Sequence, residues 1–222
     1  MNKTRQTLLS FFLGAITCVL IVGISTPSLG KITSILSVQS GNAQSFSTSQ
    51  YAQPAQIQNP INQELMSDLQ EAESVLMAQG TTGRPFQRYA AILTSKNVVP
   101  NNPSTSATAV AGATLVGERL IIRGDFNRLS SALRDYGSDP VSPPNPKITS
   151  AAHIHQGEPN QNGPFQYALT VTLKENGRSG RLAGEYTLTS EQLQALSNGK
   201  LYVDIHTKQN RAGELRGILR PV

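Results

Sequence analysis

The apolar positions of this chain fall into successive patterns. Leu8 to Ile24 is a nearly unbroken apolar run, with no charge before Lys31. Residues 39–58 are rich in Gln, Ser, Asn and Ala and carry no periodic apolar set. They bury too little to order themselves and read as a flexible tether. Ile61, Leu65, Leu69, Ala72 and Leu76 then recur at helical spacing, with Asn59 suited to cap, Pro60 to the first helical position and Gly80 to the stop. One amphipathic helix is predicted within 59–80. Its outer face is expected to be acidic, through Glu64, Asp68, Glu71 and Glu73, and the helix either lies on the basic domain that follows or frays in solvent.

From about Arg84 the period changes from helical to two. Strands are expected over 86–95, 109–116, 119–126, 148–155, 165–173, 182–188, 201–207 and 214–220. Gly117-Glu118 supplies one tight turn, and Asn176-Gly177 a second, because both residues tolerate the positive φ of a type I′ turn. Residues 129–136 suggest a short helical turn ending at Gly137, and four prolines make 139–146 an irregular loop. Late in the chain Thr189 and Gln192 form a capping box, Leu193 and Leu196 a buried side, and Gly199 an end. The pattern predicts an all-β fold: an antiparallel β-sandwich of about eight strands with one or two short helices, preceded by an N-terminal segment and a tether.

Composition narrows the classes. The net charge of +5 divides into +3 up to Lys31, −4 over residues 60–80 and +6 beyond, the last scattered singly along strands. Without a clustered stripe or interleaved aromatics, nucleic acid is not an expected partner. Lys3 and Arg5 ahead of Leu8–Ile24 form a secretory signal pattern or an uncleaved anchor. The expected organisation is therefore a signal peptide or membrane anchor over 1–30, a polar tether over 31–58, the helix over 59–80 and the sandwich over 84–222. Export is expected, to the periplasm, the cell surface or the medium, with membrane contact only through residues 8–24. Cys18 is the single cysteine and lies inside the apolar run, so the exported part has neither thiol nor disulfide and depends on its core.

The three histidines occupy two runs, Ala151-Ala152-His153-Ile154-His155-Gln156-Gly157 and Leu201-Tyr202-Val203-Asp204-Ile205-His206-Thr207. On extended strands His153 and His155 share one face, with Ala152 and Ile154 on the other. Leu201, Val203 and Ile205 are expected to enter the core, leaving Tyr202, Asp204 and His206 to point away from it. If the two strands are neighbours, three imidazoles and one carboxylate converge. Matching core-facing residues in the last hairpin pairs Ile205 with Leu215 and Val203 with Gly217, which sets Asp204 opposite Arg216 and His206 opposite Glu214. Asp204 thereby gains a salt-bridge partner. His153, His155, His206 and Asp204 are candidate ligands for Cu(II) or Zn(II), which favour nitrogen-rich sites. The competing reading is structural, each imidazole bonding a backbone carbonyl or Glu214. Glu158 to Gly163 is a weaker cation candidate, better explained as a polar turn.

Catalysis finds little support. A dismutase-type copper–zinc pair needs more histidines than the three present. No serine stands in an elbow or triad setting, and no two carboxylates have a sequence-level reason to flank a glycosidic bond. The expected function is a non-enzymatic binding or interaction domain whose partner is an extracytoplasmic protein or polysaccharide. The alternative is a His-cluster metal protein.

The runs Ala152 to Gly157, Asn162-Gly163-Pro164, Gly199 to Thr207 and Ala212 to Gly217, in this order, resemble the chordin-type (CHRD) domain family. The resemblance covers about residue 84 to the C-terminus. It implies an all-β extracellular domain of the kind found in secreted animal growth-factor antagonists and in exported microbial proteins, and it does not imply an enzyme. Two positions differ from the family pattern: Asn97-Val98-Val99-Pro100 stands where an acidic residue usually precedes Val-Pro, and Asp204 where an asparagine is commoner.

Overall fold

The computed structural model describes residues 59–81 and 83–222. The signal or anchor segment and the tether lie outside the described residues. Among those described, no helix is long and apolar enough to cross a membrane. The elements run α1 (Pro60–Ala78), β1 (Gln87–Leu93), β2 (Thr108–Val116), β3 (Arg119–Asn127), β4 (Ala152–Gln156), β5 (Phe165–Ala168), β6 (Thr170–Leu173), β7 (Gly180–Thr187), α2 (Ser190–Ser197), β8 (Leu201–Ile205), β9 (Leu215–Ile218) and β10 (Arg220–Pro221). They form two antiparallel sheets, one of six strands in the order β10-β1-β2-β3-β7-β6 and one of four in the order β5-β4-β8-β9. The fold is an all-β sandwich with two helices.

Alternation along the strands separates an inner from an outer face in each sheet. Ala109, Ala111, Ala113 and Leu115 of β2 and Leu120, Ile122 and Phe126 of β3 meet Ala152 and Ile154 of β4, Leu201, Val203 and Ile205 of β8, and Leu215 of β9 in the main core. On the reverse of the six-stranded sheet Val116 and Ile121 form a second apolar cluster with Ala72 and Leu76 of α1. The helix lies close, since a Cβ added to Gly112 would stand 2.9 Å from the backbone nitrogen of Leu69. Asn59 caps α1 by accepting from the Ile61 N–H at 3.2 Å, and the capping box of α2 forms between Thr189 and Gln192.

Four details differ from the pattern reading. The 165–173 run is one stretch of chain but not one strand: β5 pairs with β4 and β6 with β7, and the chain passes between sheets at Leu169. Leu169 is buried in the core, its N–H donates to the Ala152 carbonyl at 2.8 Å, and the Tyr186 hydroxyl donates to the Ala168 carbonyl at 2.7 Å. Residues 129–136 form no helix, because long-range partners claim their backbone. The Leu129 N–H donates to the Arg178 carbonyl, the Ser130 N–H to Glu214 and the Arg134 N–H to the His206 carbonyl, while Leu133 bridges to Thr207. The strand expected from 148 begins only at Ala152, since the Ser150 hydroxyl folds back onto the Ala152 carbonyl. Asp68 does not face solvent.

Asp68 is fully buried under α1 beside Leu69, and neither of its carboxylate oxygens has a hydrogen-bond partner. Its nearest cation is Arg181, at 3.6 Å, which is shared with Glu71 at 2.6 Å and Asp125 at 3.7 Å. The other acids of the helix reach the rim of the sheet. Glu71 also pairs with Arg123 at 3.1 Å, and Glu73 pairs with Arg88. Burial, reinforced by the negative charge of Asp125, raises the Asp68 pKa from 3.8 to about 7. A raised acid favours the docked helix at low pH. The contribution is complete below about pH 4, where the group is protonated whether docked or free, and is lost as pH rises toward about 7. Asp68→Asn is therefore expected to stabilise the protein by about 1–3 kcal/mol at pH 7.5 and by almost nothing at pH 4. Paired thermal unfolding at the two pH values measures this, and an equal effect at both would refute it.

Candidate metal centre

The outer face of the four-stranded sheet is polar, yet it is buried. Ala152 and Ile154 turn to the core, so His153 and His155 project from the opposite side of β4. On β8 the same alternation sends Tyr202 and Asp204 to that side. The pairing of β4 with β8 sets His153 opposite Asp204 and His155 opposite Tyr202. His206 lies one residue beyond β8, where its N–H donates to the Ala151 carbonyl at 2.8 Å and extends the ladder. Asp204 thus faces His153 directly, with His155 on its diagonal across the pair and His206 two residues along its own chain. In the last hairpin Ile205 pairs with Leu215, Asp204 with Arg216 and Val203 with Gly217.

These residues form one cluster. Asp204 Oδ1 lies 3.1 Å from His206 Nε2, 3.3 Å from His155 Nε2 and 3.8 Å from His153 Nδ1. One ligand atom from each of the four residues falls within 4.8 Å of every other. Tyr202, Asp204 and His206 were expected to point away from the core; they do, but loops cover them. Asp204 is 2 % exposed and His153 1 %.

The far nitrogen of each ring fixes its tautomer. His153 Nε2 meets the Ser150 carbonyl at 2.6 Å, His155 Nδ1 the Gly163 carbonyl at 3.0 Å, and His206 Nδ1 the Arg211 carbonyl at 2.9 Å. A carbonyl can only accept, so those nitrogens carry the protons. In the neutral imidazoles the lone pairs of His153 Nδ1, His155 Nε2 and His206 Nε2 then all point to the centre, beside a carboxylate oxygen. Oδ1 of Asp204 and Nε2 of both His155 and His206 are buried without a hydrogen-bond partner. These four atoms could hold a metal ion between them. An ion about 2.0–2.1 Å from N and O ligands sets tetrahedral ligands about 3.3 Å apart, close to the separations around Oδ1. The three carbonyls stand where outer partners orient ligating histidines.

Electrostatics set a proton on His206 in competition with an ion at this point. Burial alone would raise the Asp204 carboxyl, but His206 and His155 hold it well below the usual carboxylate range. Burial would lower His206, and the adjoining Asp204 carries it above its ordinary value instead. His153, buried and facing His206, is pushed down to about 4 and stays neutral.

Arg216 binds the cluster to its cover. Its guanidinium is 3.4 Å from Asp204 Oδ2, and it also donates to Asn162 Oδ1 at 2.7 Å and to the Gln161 carbonyl at 3.2 Å. It lies 4.2 Å over the Tyr202 ring, which stacks on His155 with centroids 5.2 Å apart. The Gly163 N–H donates to the Tyr202 hydroxyl at 2.8 Å. Tyr136 and Phe165 close the remaining sides, with ring centroids 5.3 and 5.4 Å from His153. Sequence reading overlooked Tyr136 and Phe165, which carry no local signal. Gln161 and Asn162 use their oxygens on Arg216, and Glu158 pairs with Lys200 at 2.6 Å, so this loop has no oxygen cage for calcium.

Glu214 takes no part. It was expected across from His206, but its carboxylate accepts from Thr105 Oγ1, from the Ser130 N–H and hydroxyl, and from Thr207 Oγ1, all between 2.7 and 2.8 Å. The strand ends before this pair, and the Glu214 side chain turns to the hydroxyl-rich loops. The imidazoles choose carbonyls instead.

The CHRD domain description matches residues 89–219. The chain belongs to the CHRD domain family. No curated protein and no solved structure matches it. A CHRD domain is in general a non-enzymatic interaction domain. Both histidine runs, the covering loops and α2 lie inside the matched region; α1 precedes it.

Gly163 of this CHRD domain tests the cover. An added Cβ would collide with the Gln156 carbonyl, so Gly163→Ala must displace the loop that holds both His155 and Tyr202. Destabilisation of about 1–3 kcal/mol is expected from such overpacking, with a perturbed His155 imidazole resonance in NMR. An unchanged melting temperature and resonance would show that the loop does not position the ligand.

Proposed function

We propose that this CHRD domain serves an exported protein as a non-catalytic interaction module, and that its His153, His155, His206 and Asp204 cluster holds copper or zinc. The observation that carries the metal reading is the convergence of three imidazole lone pairs and one carboxylate oxygen, with every outer imidazole nitrogen bonded to a carbonyl. Lys3 and Arg5 ahead of Leu8–Ile24, and a described region without cysteine, support export. The partner in this reading is an extracytoplasmic protein or polysaccharide. The ion's role is structural: all four ligands come from the protein. The donor set is also too small for a paired copper–zinc dismutase.

Titration of the purified chain with Zn(II) or Cu(II) tests the metal. One equivalent is expected to bind with micromolar or tighter affinity, and the melting temperature should rise with metal and fall with chelator. His153→Ala and His206→Ala should each weaken binding by about 100-fold or more. Affinity should decline below neutral pH, because the metal competes with the protons that Asp204 favours on His206. Absence of binding, with melting lowered equally in both variants, would leave the cluster a purely structural one.

A further inference from the structure

A second polar site lies away from the histidines, where β3 and β7 end. Phe126 pairs with Gly180, and beyond that pair the Arg128 N–H donates to Ser179 Oγ at 3.3 Å and the Leu129 N–H to the Arg178 carbonyl at 2.9 Å. The Leu129 bond is one residue out of step with the Phe126–Gly180 pair, so Arg128 is an extra residue at this end of the ladder, and it borders the same cleft as Arg178. Both arginines are exposed, and among the described residues no carboxylate pairs with either guanidinium. Glu64 borders a neighbouring hollow with Arg128, but its carboxylate takes the Asn127 amide at 3.5 Å.

The backbone is strained at the same point. Arg128 has φ 59°, the only non-glycine residue of the described chain in the left-handed region. Such strain gathers at ligand-holding positions. The opposite side is held rigid. Asn176 Oδ1 accepts from the N–H groups of both Arg178 and Ser179 at 2.9 Å, and its amide donates to Ser179 Oγ at 3.1 Å. Ser179 Oγ accepts two hydrogen bonds and retains its own proton for donation. The two arginines border a cleft of about 420 Å³ that is also lined by Ser104, Ser106 and Ser179. Thr105 and Ser130 are at its base, but their hydroxyls already donate to Glu214, which is fully buried and satisfied and does not face the cleft.

We propose that this cleft binds an acidic polysaccharide, the two guanidiniums on its border taking a sulfate or uronate oxyanion and the serine hydroxyls the adjoining sugar. Guanidinium forks match planar carboxylate and sulfate oxygens, and hydroxyls suit the sugar oxygens beside them. The proposal gives a partner class to the interaction reading and does not rest on the metal centre.

Binding of the full chain to dextran sulfate and to polygalacturonate, with neutral dextran as reference, tests it at about 0.15 M salt. Retention of at least one acidic polymer and none of dextran is expected. Arg178→Gln and Arg128→Gly should each weaken binding by about tenfold, the expected loss of one bidentate contact. Gly accepts the left-handed backbone, so Arg128→Gly removes the charge without unfolding the turn. Lys96→Ala and Lys147→Ala, equal charge changes on exposed residues elsewhere, should change binding by less than about twofold. Equal weakening by all four variants would show diffuse attraction and overturn the site, as would failure of both acidic polymers to bind. Displacement by millimolar inorganic sulfate as complete as by free polymer would reassign the cleft to a small oxyanion. Metal content is measured on the same preparations, so loss of the ion and loss of the polymer are read separately.

Discussion

Asp204 is an ionised carboxylate almost entirely removed from water, and the outer half of the four-stranded sheet is arranged around it. A lone buried charge is strongly unfavourable, so each of its oxygens must meet positive charge or polar hydrogen. One oxygen is answered by Arg216 and the other faces three imidazoles. Every partner carries the constraint outward. Arg216 fastens Gln161 and Asn162, His155 holds Gly163, His206 holds Arg211, and His153 holds Ser150. Three separate loop segments, 161–163, the one at Arg211 and the one at Ser150, thus converge on one carboxylate.

The sandwich covers its two outer faces by different physics. Over the six-stranded sheet the cover is α1, docked through Leu69, Ala72 and Leu76, with acids on its rim paired to arginines. Over the four-stranded sheet the cover is loop and aromatic ring, held by hydrogen bonds rather than by apolar area. The first leaves Asp68 and the Thr114 hydroxyl unsatisfied. The second directs three unsatisfied atoms, Asp204 Oδ1 and Nε2 of His155 and His206, to a common point, and that difference separates a packing conflict from a candidate ligand site.

Strand alternation made much of this legible in advance. The register of the last hairpin follows from matching Val203 and Ile205 against Gly217 and Leu215, and a period of two is enough to group His153, His155 and Asp204 on one face. What covers that face was not legible. Gly163 and Phe165 reach the histidines from the turn and strand that follow β4, and Tyr136 from the loop before it, and no apolar period marks these contacts. Asp68 was misplaced for another reason. It stands three residues after Leu65 and four before Ala72, inside the apolar stripe, and its charge was weighed above its position. Residues 129–136 show tertiary contacts overriding local preference, since Glu214, Arg178 and His206 capture the hydrogen bonds a helical turn would need.

The passage at Leu169 has a mechanical meaning. A single short length of chain is woven into both layers, with β5 hydrogen-bonded to the histidine strand β4 and β6 to β7. Sliding one layer over the other would have to drag this stitch through the interior, because Leu169 is anchored between them. The two sheets consequently resist shear as one body, and a load applied to the far sheet arrives at His153 and His155 with only four residues of strand between.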